Sequence, residues 1–172
     1  MHRPLSRCTL RSWRQSDAER LAMIADDRAI WRMLRDRFPS PYTLADAESF
    51  IASATAERPS RNVAITVDDL VVGAIGVTPG EDIYRVTGEV GYWLDANARG
   101  RGLATEALRG FVAWLWETTD LQHLCASVFT SNRDSARVLE KSGFTLAYIA
   151  RKAAVKDGTI VDEWRYQNIR AE

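Results

Sequence analysis

The stretch Asp95-Ala96-Asn97-Ala98-Arg99-Gly100-Arg101-Gly102-Leu103-Ala104-Thr105-Glu106-Ala107-Leu108 decides how this chain is read. An extended, aromatic-rich run precedes it, Gly88-Glu89-Val90-Gly91-Tyr92-Trp93-Leu94. After it, Leu103, Ala107, Leu108, Phe111, Val112 and Leu115 recur at helical spacing. The pattern predicts a strand, a short loop with two glycines and two arginines, then the first turn of a buried helix. A helix start leaves backbone N–H groups without partners, and the helix dipole adds partial positive charge there. Two glycines let that backbone approach a ligand closely, and two arginines add full charges. The loop reads as an anion cradle suited to phosphate.

The details exclude two common cradles. A P-loop needs Lys-Ser/Thr after its last glycine, and Leu103-Ala104 follow Gly102. A dinucleotide fingerprint needs a third glycine where Thr105 stands. What fits is Arg99-x-x-Gly102-x-Ala104, which resembles the Gln/Arg-x-x-Gly-x-Gly/Ala signature of the GNAT superfamily of acyl-CoA N-acyltransferases.

The 172 residues suffice for one well-cored domain and are few for two, so a single domain over 1–172 is expected. A net charge of zero argues against a protein built to grip nucleic acid phosphates. No apolar run approaches the roughly 18 residues of a membrane helix, and Met1-His2-Arg3-Pro4 lacks a signal-peptide core. Cys8 and Cys125 lie far apart without metal spacing, which reads as buried free thiols in a reducing cytoplasm. With only two histidines, no metal site is expected.

Along the chain, Cys8 to Trp13 alternates as a first strand, and Ser16 with Glu19 has capping-box spacing before a helix. Ala29 to Leu34 reads as a second helical piece. Phe38-Pro39-Ser40-Pro41-Tyr42 then breaks the pattern, either as a connector with its aromatics in the core or as a lid over an acceptor site. Thr43 and Asp46 cap a third helix. Strands are expected at 62–67, 70–77, 86–94, 121–129, 144–150 and 160–168, with Asp68-Asp69 joining the first two of these. A helix from Ser131-Asn132 through Lys141 is closed by Gly143. The order predicts an α/β fold.

Asn132-Arg133-Asp134-Ser135-Ala136-Arg137-Val138-Leu139-Glu140-Lys141-Ser142-Gly143-Phe144 resembles the Asn-x-x-Ser-x-x-x-Leu-x-Lys-x-Gly-Phe element of the same family, one strand after the cradle. Gly88 to Leu94, Ala104 to Leu108, the Phe38 to Thr43 loop and Asp157-Gly158…Asp162-Glu163-Trp164 resemble the branch containing the RimJ/RimL ribosomal-protein N-terminal acetyltransferases. The resemblance spans Leu10 to Tyr166. It implies a mixed, mostly antiparallel twisted sheet of about seven strands with helices on both faces. It implies acetyl-CoA as co-substrate and acetyl transfer to a primary amine, a small molecule or a protein N-terminus, by direct attack on the thioester. It also allows a homodimer.

Carried over by position, amides of Arg99, Gly100, Arg101, Gly102, Leu103, Ala104 and Thr105 would bind the pyrophosphate. Trp93 and Leu94 would pair their backbone with the pantetheine arm like an added strand. Asn132 would hydrogen-bond that arm, and Ser135, one turn on, would reach the cofactor sulfur. Glu89 is the candidate base, acting through a water, because an amine attacks only when neutral. Ser135, Tyr148 and Tyr166 are candidates to protonate the departing thiolate. Two departures fall on the acceptor side: Ser40 replaces a histidine usual between the prolines, and Ala147-Tyr148 replace Glu-Gly. A non-catalytic acyl-CoA-binding module, cradle kept and acceptor chemistry lost, is the alternative.

Overall fold

The computed structural model describes residues 1–57 and 61–171. Its strands are β1 (His2–Pro4), β2 (Thr9–Arg11), β3 (Asn62–Val67), β4 (Leu70–Pro79), β5 (Thr87–Leu94), β6 (His123–Phe129), β7 (Thr145–Lys156) and β8 (Thr159–Ile169). Its helices are α1 (Ala18–Ala25), α2 (Arg28–Trp31), α3 (Leu44–Ala56), α4 (Leu103–Thr118) and α5 (Arg133–Lys141). The strands form one mixed sheet in the order β1-β2-β3-β4-β5-β6-β8-β7. Every neighbouring pair is antiparallel except β5 and β6.

That parallel pair is short. Thr87, Gly88 and Glu89 meet His123, Leu124 and Cys125, and there the pairing stops, although both strands continue. The sheet therefore splits along the inner edge of β5 from Val90 onward.

Each face of the sheet carries its own core. On one, α1 and α3 bury Leu21, Ile24 and Ile51 against Ala64, Val71 and Ala74. On the other, α4 buries Leu103, Ala107, Leu108, Phe111 and Leu115 against β5 and β6, with Leu139 of α5 alongside. The helical spacing after the cradle thus maps onto the inward side of α4.

Several boundaries differ from the sequence reading. The sheet has eight strands because the three-residue β1 pairs with β2 through a turn closed by Leu5 N–H donating to Cys8 C=O at 2.8 Å. Three residues ending in proline carry no alternation to detect. The first helix begins at Ala18, not behind Ser16, because Asp17 accepts from the Arg14 N–H at 2.9 Å and supplies the reciprocal bond instead. The second helical piece ends at Trp31. Thr43 and Asp46 do exchange capping bonds, Asp46 N–H to Thr43 Oγ1 at 3.2 Å and Thr43 N–H to Asp46 Oδ2 at 2.8 Å. Asp68 and Asp69 turn the β3–β4 hairpin with φ of 49° and 63°. Strand β7 runs to Lys156, past the expected end at 150, with register shifts at Leu146/Tyr148 and Ala150/Ala154 that break its alternation. Cys8 is buried, and burial pushes its thiol up to about 11; Cys125 is only half-buried. Trp114 and Trp116 are half-buried on α4.

Candidate active site

The strand-to-helix loop takes the predicted form. Asp95 accepts from Asn97 N–H at 3.2 Å, which rounds the chain off β5, and Arg20 of α1 clamps the same carboxylate at 2.9 Å. Gly100 and Gly102 adopt φ of 73° and 75°, left-handed conformations that glycine enters without penalty. Gly102 caps α4, and the first bond inside the helix runs from Glu106 N–H to Gly102 C=O at 3.1 Å. The N–H groups of Leu103, Ala104 and Thr105 therefore precede the helical ladder and point out of its end.

The two cradle arginines take different positions. The Arg99 guanidinium folds back, donating through Nε to Leu94 C=O at 3.1 Å and lying 3.4 Å from Asp27. It braces the end of β5, and it occupies the Leu94 carbonyl that a pantetheine arm was expected to use. Arg101 keeps its charge at the surface, while its carbonyl accepts from Arg7 Nη1 at 2.9 Å. Arg7 also holds Glu106 through its N–H and Nε, both at 2.7 Å. This contribution was invisible in the sequence, where Arg7 sits in a turn with no pattern around it.

The alternation of β5 sends its side chains to opposite faces. Glu89, Gly91 and Trp93 face a cleft of about 550 Å³ lined by β4, β5, β6 and the segment between α2 and α3. Phe38 from that segment packs on Tyr42 and edge-on to Trp93, with centroids 4.9 and 5.9 Å apart. The proline loop is thus both connector and cleft wall, with its aromatics turned inward. The Ser40–Pro41 bond is cis.

Both carboxylate oxygens of Glu89 are occupied. Ser127 of β6 donates to Oε1 at 2.8 Å, and the Arg35 guanidinium binds Oε2. Burial by itself would raise the Glu89 pKa. The bonds from Arg35 and Ser127, with the charges of Arg35 and Arg165, outweigh it and hold the group below the usual glutamate value. On the same floor Arg165 bonds Glu163 at 2.5 Å.

On the other face of β5, Tyr92 reaches α5. Its hydroxyl lies 2.9 Å from Ser135 Oγ and 3.0 Å from Ser135 C=O. Burial raises the phenol pKa, partly offset by the Ser135 bond. The carbonyl can only accept, so when Tyr92 gives it its one proton, Ser135 Oγ–H donates to Tyr92. Asn132 accepts from Ser135 N–H at 3.2 Å as the N-cap of α5, which uses its Oδ1 for the helix. Tyr166 is buried beneath α5 with its hydroxyl given to Glu140 at 2.8 Å, a bond that with burial raises it to about 12. Tyr148 is exposed, and none of Ser135, Tyr148 and Tyr166 lines the cleft. Ser135 is tied to β5 through Tyr92, a companion the sequence did not show. Glu89 and Ser135 lie on opposite faces of β5, with the split in the sheet between them.

No cluster of three or more His, Cys, Asp or Glu side chains suited to a metal occurs among the described residues. Among the described residues no helix is long and apolar enough to cross a membrane.

Residues 7–145 match the model of a family described as an acetyltransferase (GNAT) domain. A probable N-acetyltransferase of Bacillus subtilis (strain 168), YjcK, is 35% identical over 95 residues, 55% of this chain and 52% of that protein. A ribosomal-protein-serine acetyltransferase of Escherichia coli (strain K12) is 27% identical over 86 residues, 50% of this chain and 48% of that protein. The chain thus spans about half the length of the curated relatives it matches. Among solved structures, a RimL ribosomal alpha-N-protein acetyltransferase in complex with coenzyme A superposes with a TM-score of 0.88 at 18% identity, covering 98% of both chains. At that identity the likeness is one of fold.

Proposed function

This chain belongs to the acetyltransferase (GNAT) family, and from that membership we propose that it transfers an acetyl group from acetyl-CoA to a primary amine in a ternary complex. The observation that carries the proposal is the split beside β5, open from Val90 onward between the free amides of α4 and the Glu89 cleft. The amides of Leu103, Ala104 and Thr105 would take the pyrophosphate, with Gly100 and Gly102 allowing its close approach. The pantetheine arm would run along the unpaired edge of β5 toward Trp93. Asn132 would meet it through the amide nitrogen that the helix cap leaves over.

In this reading the neutral amine nitrogen attacks the thioester carbonyl carbon, forming a C–N bond as the C–S bond breaks. The proton lost by nitrogen passes through water toward Glu89, and the thiolate takes one from Ser135. Tyr92 turns its hydroxyl from the Ser135 carbonyl to donate a hydrogen bond to Oγ while keeping its own proton. The proton collected toward Glu89 returns through water to Ser135, so that the amine proton ends on the thiol. The E. coli relative is named for a serine of a ribosomal protein, which supports a protein N-terminus as one acceptor class.

Thiol release from acetyl-CoA is the test, run with peptides, spermidine, free amino acids and an aminoglycoside. Release with one class is expected, and Glu89→Gln should lower its kcat/KM by about 100-fold, the lower end of general-base contributions. A second reading is a non-catalytic acyl-CoA-binding module, favoured by the full occupancy of Glu89. It requires coenzyme A binding without turnover and no effect of Glu89→Gln.

A further inference from the structure

A resident cation stands where an acceptor amine has to come. Of the two groups on Glu89, Ser127 lies on β6, which is paired to β8 along its length. Arg35 lies outside any helix or strand and its side chain is 54% exposed. Arg35 is the partner that can yield. If it leaves alone, a guanidinium loses its carboxylate inside a partly desolvated cleft, so the exchange is favourable only when both halves of the pair find new partners.

Resting on the acetyl-transfer reading, we propose that the acceptor is an amine carrying its own carboxylate a few bonds away, such as an acidic peptide N-terminus. It would bind by exchanging ion pairs: its ammonium takes Glu89 from Arg35, and its carboxylate takes Arg35 from Glu89. The rest of the cleft supports that polarity. Its other carboxylates are already engaged, Glu163 by Arg165 and Glu57 by the Asn62 amide at 3.1 Å and the Arg61 N–H at 3.0 Å. Arg37 and Arg61 line the same cleft, and neither side chain forms an ion pair with a carboxylate among the described residues. A polyamine would split the Glu89–Arg35 pair and then place more positive charge beside three arginines.

The test compares two peptide amides, Ser-Asp-Ala-Ala and Ser-Lys-Ala-Ala, with spermidine, by calorimetric titration into the full chain saturated with coenzyme A. Binding is read directly, so no turnover is needed. The aspartate peptide should bind at least about tenfold tighter than the lysine peptide, with spermidine weakest, since like-charge contacts discriminate strongly. The advantage should fall below about threefold in Arg35→Gln, which removes the guanidinium that the peptide's carboxylate would take from a half-exposed position. Equal binding, a preference for the lysine peptide or spermidine, or binding of none of the three overturns the proposal. Selective binding of the aspartate peptide without thiol release from any amine would instead sink acetyl transfer and leave the acceptor class standing.

Discussion

Glu89 meets Arg35 and Ser127 with its two carboxylate oxygens, and that pairing sets what it can do with a proton. Held below the usual glutamate value, it stays ionised throughout the neutral range. Its folded pKa is depressed, so the stability the pair contributes is present above the ordinary glutamate value and lost as pH falls through the lowered one. Loss of Glu89 charge therefore cannot shape the rate near neutrality. With an α-amine acceptor, the ascending limb of the kcat/KM profile should sit near pH 7.7–8.0, roughly the pKa of the amine itself. An acceptor with a lower amine pKa should carry the limb down with it. A limb that stays fixed across acceptors would assign it to the protein. The place of Glu89 was legible because a strand, an acid and a cradle follow one another locally. Its partners were not: Arg35 is 54 residues away in an irregular segment, and the Tyr92–Ser135 contact spans 43. Such pairs are decided by how strands and loops stack, which no local pattern records.

At the scale of the element, α4 and its glycine cap are what the local pattern conveyed best. Period, glycines and small residues all agree, and agreement across levels is what makes a segment readable. Strand β7 shows the opposite case, because two register shifts erase the alternation that would have announced its second half. The cap also carries a prediction. An alanine at Gly102 would sit at φ +75° with its Cβ 2.9 Å from the Arg7 guanidinium. The left-handed conformation costs a non-glycine residue about 1–2 kcal/mol, while Arg7, a flexible side chain, can move aside. Gly102→Ala should lower the unfolding free energy measured in urea by that amount and weaken coenzyme A binding several-fold in a direct titration. Unchanged coenzyme A affinity would mean that the cradle amides do not contact the cofactor.

Across the whole molecule, Arg11 ties together three distant parts. It is almost fully buried and binds Asp17 ahead of α1 at 2.7 and 2.8 Å and Asp69 in the β3–β4 turn at 2.9 Å. Arg11→Met leaves Asp17 buried without its cation and should destabilise the fold by about 3–5 kcal/mol in urea unfolding. Arg11→Met/Asp17→Leu should recover much of the loss, because an apolar pair needs no counter-charge. A single variant as stable as the parent would show that water reaches Asp17. The α/β class was legible from element order and the helices on both faces only from the family resemblance, whereas the split in the sheet was not legible, since it depends on where β6 stops following β5. The β7–β8 hairpin has a consequence of its own. Its Lys156 binds Asp36 at 2.6 Å and lies 3.7 Å from the Trp31 ring, while Asp157 meets Arg28 at 3.2 Å. The segment that walls the cleft is thus anchored by residues made 120 positions later. At about 5–20 residues per second of synthesis, that wall waits roughly 6–24 s for its anchor on a nascent chain. The cradle has its whole sequence well before then, so a growing chain acquires the makings of a cofactor grip before its acceptor side can close.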